Sequence, residues 1–276
     1  MNDNAIHADN KEHKKGKEPQ SCLYILPPFG NEGSVLYRGR IEALYGALSF
    51  IKHQSADYVV LSDCDIVTNM DYKPIIEQHI ESGADITVVS HTGNYTSEEI
   101  ALSTVLNTDD NKNVKSVLIM PELSGTCTAS LNMFVIKKDL LIDLVQDSFA
   151  RGLLSFEKDI LQGRVNDLKI MAYEYEGYFS KISGISSYFT ANQLLLDPEN
   201  SNKVYLPKRA IYTKIRDDNP TRYFTGSKVR NTMVADGCVI EGEVENSVLF
   251  RGVKIGCGVI LAHVNVFELS HHVRKG

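Results

Sequence analysis

Val234 and Ile240 lie six residues apart, and so do Leu249, Ile255 and Leu261, with one nine-residue step between the two sets. Gly237, Gly242, Gly252, Gly256 and Gly258 fall at the intervening positions. A chain that coils around a triangular core places one apolar residue inward on each side and turns at a corner about every six residues. The spacing therefore predicts a parallel β-helix over 229–276. The competing reading of the same stretch is an antiparallel meander of short strands.

Upstream the texture is different. Leu23–Leu26, Tyr58–Leu61, Ile86–Val89, Met133–Ile136 and Ile170–Tyr173 are short apolar runs with the length of buried strands. Between the first two, Arg38 to Gln54 places Ile41, Leu44, Tyr45, Leu48 and Ile51 at helical spacing. Tyr72 to Gly83 repeats the pattern with Ile75, Ile76, His79 and Ile80, and Gly83 is placed to end the helix. His79 on that apolar face reads as a packed core histidine. A third helix is expected over Lys138 to Gly152. Alternation of this kind implies an α/β domain with a mainly parallel sheet covered on both faces. The organisation expected is a disordered polar tail over 1–21, the α/β domain over 22–200, a connector over 201–228 and the coil over 229–276.

Composition excludes several function classes. A net charge of −6 offers nothing to nucleic acid or to an acidic membrane surface. The one basic run, Lys11 to Lys17, lies in the polar tail without interleaved aromatics. Cysteines at 22, 64, 127, 238 and 257 are odd in number and form no CxxC pair, as in a cytoplasmic protein with reduced thiols. No apolar run approaches the ~20 residues of a membrane span, and the first residues lack a signal-peptide core. His263 stands alone near the end of the coil, which is weak support for an acyl-transfer site.

The chemistry-bearing segment is Tyr58 to Tyr72, YVVLSDCDIVTNMDY. An apolar strand breaks into Asp63 and Asp65 with Cys64 between them. Ligand sites on open α/β sheets lie at the carboxyl ends of strands, where paired acids can hold a divalent metal. A solvated turn explains the same two residues equally well.

The wording and order of the segments add a resemblance. LPPFG at 26–30, YRGRIEALYGAL at 37–48, YVVLSDCDIVTNMDY at 58–72, FEKDIL at 156–161, YFSKISGISSYFTANQLLL at 178–196 and NTMVADGCVIEGEVENSVLFRGVKIG at 231–256 resemble the glucose-1-phosphate adenylyltransferase (ADP-glucose pyrophosphorylase) family of glycogen biosynthesis. The resemblance implies a Rossmann-like nucleotidyltransferase domain, here incomplete at its N-terminus, followed by a partial left-handed β-helix of hexapeptide type. It also implies Mg²⁺ in the active members. The departures fall on the chemistry. The family's glycine-rich triphosphate loop belongs well upstream of the LPP segment, where this chain has only about twenty polar residues. The family's catalytic aspartate in Gly-Asp-His aligns with Cys64, and the second metal ligand in Trp-Arg-Asp-Val-Gly aligns with Lys181. MPEL at 120–123 lacks the lysine of the sugar-phosphate clamp. Tyr37, Gly39, Asp63, Asp65 and Asp159 remain as pocket candidates, and Asp159 is also explained as a helix-terminal cap.

Those losses look like a non-catalytic, regulatory type of subunit, truncated at the N-terminus, that binds no cofactor itself. Its expected partners are a catalytic adenylyltransferase subunit or further copies of itself. The alternative is a metal-dependent nucleotide-sugar glycosyltransferase that clamps its metal with Asp63 and Asp65.

Overall fold

A computed structural model describes residues 24–26, 37–213 and 218–267. The first helix, α1 (Arg40–Lys52), leads through β1 (Tyr58–Ser62) and β2 (Ile66–Thr68) to α2 (Lys73–Ser82). There follow β3 (Ile86–Tyr95), the single turn α3 (Ser97–Ile100), β4 (Thr104–Thr108), β5 (Val114–Ile119) and the long β6 (Gly125–Lys137). Helix α4 (Lys138–Ala150), a π-helical turn over Phe156–Gln162, β7 (Ile170–Glu174), β8 (Phe179–Lys181), α5 (Ile185–Leu194) and α6 (Pro198–Val204) complete this part.

The sheet runs β5-β4-β6-β3-β7, with β1 also paired to β6. It is mixed, not mainly parallel as the alternation suggested. Only β3 and β7 run parallel, whereas β1–β6, β3–β6, β4–β6 and β4–β5 are antiparallel. The physical reason is that a continuous apolar run reports burial on both faces and carries no information on strand direction. Strand β6 shows this: Phe134 and Ile136 enter one core, Met133 and Val135 the other. The first core is closed by Ile41 and Leu48 of α1, Leu141, Leu144 and Val145 of α4, and Phe156, Ile160 and Leu161 of the π-helical turn. The second is closed by Met70 and Ile75.

The helices follow the apolar spacing with local exceptions. Ile41 and Leu48 are buried, while Tyr45 is half exposed and stacks on Phe149 with ring centroids 3.7 Å apart. Gly83 ends α2 in the left-handed conformation at φ 58°, as its position suggested. Ile80, placed on the apolar face by spacing, is 51% exposed, because the helix covers the sheet chiefly through Ile75 and His79. The strand expected at Leu23–Leu26 does not form over the described residues 24–26, which are exposed. Leu23, the polar tail over 1–21 and most of LPPFG lie outside the described residues.

The second region is built from pairs and triplets of residues. Strands β9 (Arg222–Tyr223), β10 (Lys228–Arg230), β11 (Met233–Val234), β12 (Val239–Ile240), β13 (Glu243–Glu245), β14 (Val248–Leu249), β15 (Lys254–Ile255), β16 (Ile260–Ala262) and β17 (Asn265–Val266) visit three sheets in rotation. Every pairing is parallel, with Lys228 opposite Glu243 and Glu243 opposite Ile260. Antiparallel hairpins cannot produce that order, so the meander is excluded. Val234, Ile240, Leu249, Ile255 and Leu261 all point into one apolar cluster with Cys238, Val244 and Val253. The nine-residue step is filled by Val244, which makes that coil shorter. The strands begin at Arg222, inside the stretch read as a connector. Helix α5 leans on the coil through Tyr188, Phe250 and Phe267, whose rings stack in series.

His79 is 2% exposed, and its Nδ1 lies 2.8 Å from Thr87 Oγ1. Burial lowers its pKa below the usual 6.5, opposed by the Asp85 carboxylate. The unfolded chain therefore takes up the proton first. The neutral side chain's contribution is present above the unfolded value and is lost as pH falls toward the folded one. The thermal midpoint should drop more steeply for the wild type than for His79→Gln between about pH 7 and pH 5. Parallel pH profiles of the two proteins would show that the imidazole is not the titrating group.

Candidate functional site

The turn between β1 and β2 carries Asp63, Cys64 and Asp65 at the carboxyl end of β1. Antiparallel pairing of β2 with β8 sets Ile66 opposite Lys181, and Ile182 N–H donates to Asp65 O at 2.7 Å. Two segments far apart in sequence are thus joined at one backbone ladder. The side chains do not converge on a metal position. Lys181 Nζ turns away to donate to Leu102 O at 2.6 Å and to Ser103 Oγ at 3.3 Å. Cys64 is exposed and free.

Asp63 has a partner that the spacing did not reveal. Arg40, at the first turn of α1, donates to Asp63 Oδ1 in a close ion pair, and its other terminal nitrogen lies 2.7 Å from Glu157 Oε1. The guanidinium also sits over the Phe134 ring, 5.2 Å from its centroid. The Arg40 side chain is only 18% exposed. One cation therefore ties the start of α1, the end of β1 and the π-helical turn over the central strand. Nothing in the local sequence of Arg40 marks this role, because its two acids lie 23 and 117 residues away.

The remaining candidates surround the same junction. Gly39 is extended, at φ −173°, so its need for glycine is steric. A Cβ there would collide with the Leu154 carbonyl, which accepts from Ile41 N–H at 3.1 Å. The Tyr37 hydroxyl packs against Gly46, where a Cβ would come within 2.7 Å of it. Asp159 Oδ2 accepts from the backbone N–H of Leu154 at 3.0 Å and of Ser155 at 2.9 Å. Asp159 therefore braces the start of the π-helical turn from within it, while the N-cap itself is Ser155, whose Oγ accepts from Lys158 N–H at 3.1 Å.

Mg²⁺ requires several hard oxygen ligands in octahedral array. Asp63 is occupied by Arg40, Cys64 offers sulfur, and Lys181 brings a cation. Asp65 Oδ1 is buried with no hydrogen-bond partner, which supplies a donor set of one. Among the described residues no three His, Cys, Asp or Glu side chains cluster as metal ligands would. The residues present do not fit the metal. The same arrangement weighs against an Asp63/Asp65 clamp, since Arg40 would have to be displaced first.

Removing Arg40 leaves Asp63 and Glu157 part-buried without a counter-charge. Arg40→Met should lower stability by about 1–3 kcal/mol, and Asp63→Asn combined with it should cost little more, because the two act through one pair. Urea denaturation of the two single variants and the double variant measures the coupling. Additive losses would mean that the ion pair is not the source.

Comparison with known proteins adds the lineage. The family described as nucleotidyl transferase matches residues 2–197. "Glycogen biosynthesis protein GlgD" of Bacillus subtilis (strain 168) is 30% identical over 78% of this chain and 52% of its own length. "Glucose-1-phosphate adenylyltransferase" of Halalkalibacterium halodurans is 32% identical over 84% of this chain and 61% of its own length. The protein of that name from Clostridium botulinum (strain Eklund 17B / Type B) is 31% identical over 86% and 62%. The chain thus spans between half and two thirds of the length of these relatives. The family match, covering well over half of the chain, and the sheet with its attached coil lead to one conclusion: this chain belongs to the nucleotidyl transferase family, and these relatives within it carry names from glycogen biosynthesis.

Proposed function

We propose that this chain is a non-catalytic subunit of glycogen biosynthesis, acting on or assembling with an adenylyltransferase that makes ADP-glucose. The observation that carries the reading is the charge at the strand-end turn. Adenylyl transfer needs a metal to neutralise the transferring phosphoryl group. Here Arg40 already neutralises Asp63, while Cys64 and Lys181 stand where the resemblance places the two metal ligands. Similarity to a relative named as a glycogen biosynthesis protein and to others named as adenylyltransferases fits a paralogue of the active enzyme. We assign the stacked coils over 222–267 to a left-handed hexapeptide β-helix, on the strength of one short strand per side per coil. The division into an α/β domain up to about residue 200 and a coil that starts at Arg222 is part of the same proposal, as is a cytoplasmic location. No helix among the described residues is long and apolar enough to cross a membrane.

A partner has places to dock. Among the described residues strand β1 pairs with β6 alone, and Tyr58 to Leu61 are only half buried there. Ile260 on the last described coil is 74% exposed, beside Val259 at 40%. A strand edge without a described neighbour and exposed apolar residues on the last described coil both favour association.

The chain alone should release no pyrophosphate from ATP and glucose 1-phosphate above a no-protein control with Mg²⁺ present. Mixed with an active adenylyltransferase of the same organism, it should co-purify and alter that enzyme's saturation by substrate. Chelator-sensitive turnover by the chain alone would overturn the proposal.

Calorimetric titration with Mg²⁺ or Mn²⁺ should give no sub-micromolar binding. Tight binding that disappears in Asp65→Asn would revive the glycosyltransferase reading.

A further inference from the structure

The coil has a corner that the glycines do not explain. Asn231, Asn246 and His263 occupy it in successive coils, all left-handed, at φ 43°, 47° and 55°. Asparagine tolerates that conformation better than other side chains with a Cβ, and histidine is also enriched there. Stacking the coils brings the side chains into a ladder. Asn231 Nδ2 donates to Asn246 Oδ1 at 2.7 Å, and Asn246 Nδ2 lies 3.5 Å from His263 Nε2. Each amide has two donor hydrogens and an acceptor oxygen, so the ladder leaves hydrogen-bonding capacity unspent.

That capacity faces a cleft of about 380 Å³ between the coil and the junction of α5 with α6. Gln193 and Asp197 form the polar part of the opposite wall, and Leu196 and Pro198 the apolar part. Gln193 is held by its bond to Asn265 Oδ1 at 3.0 Å, and Asp197 Oδ1 accepts from Glu199 N–H at 3.0 Å as the cap of α6. Neither bond saturates its side chain. Among the described residues no lysine or arginine lines the cleft.

We propose that this cleft binds an uncharged, polyhydroxylated ligand, a short neutral oligosaccharide. Vicinal hydroxyls are donors and acceptors at once, which alternating amide groups at coil spacing can match. The C–H face of a sugar ring needs an apolar surface such as Leu196 and Pro198 provide. A phosphate or nucleotide would need cationic partners, which the described lining does not offer. The volume lies in the range of small-ligand sites and accommodates more than one ring. Because one wall is the coil and the other is the α/β region, the ligand would bridge the two. The proposal is independent of the assignment as a non-catalytic subunit.

Saturation-transfer NMR on the full chain, with maltotriose, glucose, glucose 1-phosphate and inorganic phosphate as separate probes, tests it. Maltotriose should bind saturably. Glucose binding as well as maltotriose would assign the site to a free sugar and overturn the oligosaccharide part. Asn246→Gly with His263→Gly keeps the left-handed backbone and deletes two polar groups, so affinity should fall at least about tenfold while the thermal midpoint changes little. Gln193→Ala, on the helical wall, should weaken binding by a different route and serves if the double variant is unstable. Asn166→Ala, in the separate cavity lined by Lys115 and Lys169, should leave binding unchanged. No saturable maltotriose signal at about 10 mM, equal binding by all variants, or preference for phosphate would overturn the proposal.

Discussion

Strand β6 is the member on which the α/β region depends. It pairs with β1, β3 and β4, and among the described residues it is the strand that holds β1, with its Asp63 turn, in the sheet. Met133 to Ile136 are each at most 1% exposed and alternate between the two cores. Large apolar side chains at such positions cost about 2–5 kcal/mol apiece to truncate, because the cavity is not refilled. Placement of α1, α2, α4 and the π-helical turn follows from covering that one strand on both faces.

Charge is organised around the same strand. Arg40 lies over Phe134 and joins two carboxylates from different elements. A part-buried guanidinium with two acidic partners avoids the penalty of an unpaired charge while it fixes the geometry of three chain segments. A carboxylate committed to an internal cation is a poor metal ligand, which supports the proposed non-catalytic reading.

The coil solves a different problem. Two- and three-residue strands form no stable sheet singly, and stacking lets each complete its hydrogen bonds with the coils before and after it. Its apolar interior is repetitive, whereas its corners are individual. Glycines take some of them, and the Asn231, Asn246 and His263 ladder takes another and turns a backbone requirement into a polar wall.

Much of this was written locally. The six-residue spacing named the residues that share the C-terminal apolar cluster, because period is a property of neighbouring positions. Helical spacing likewise located α1, α2 and α4, and the placement of Gly83 located a helix end. The local role of Asp159 at the start of the π-helical turn was legible too, since the N–H groups it binds lie within five residues. Strand direction was not legible, because an apolar run buried on two faces reads the same both ways. Arg40 could not be matched with Asp63 and Glu157, nor Gln193 with Asn265, since nothing local links residues dozens of positions apart. Only the packed sheet, with its coil laid against α5, decided which charges cancel and which polar groups are left facing a cleft.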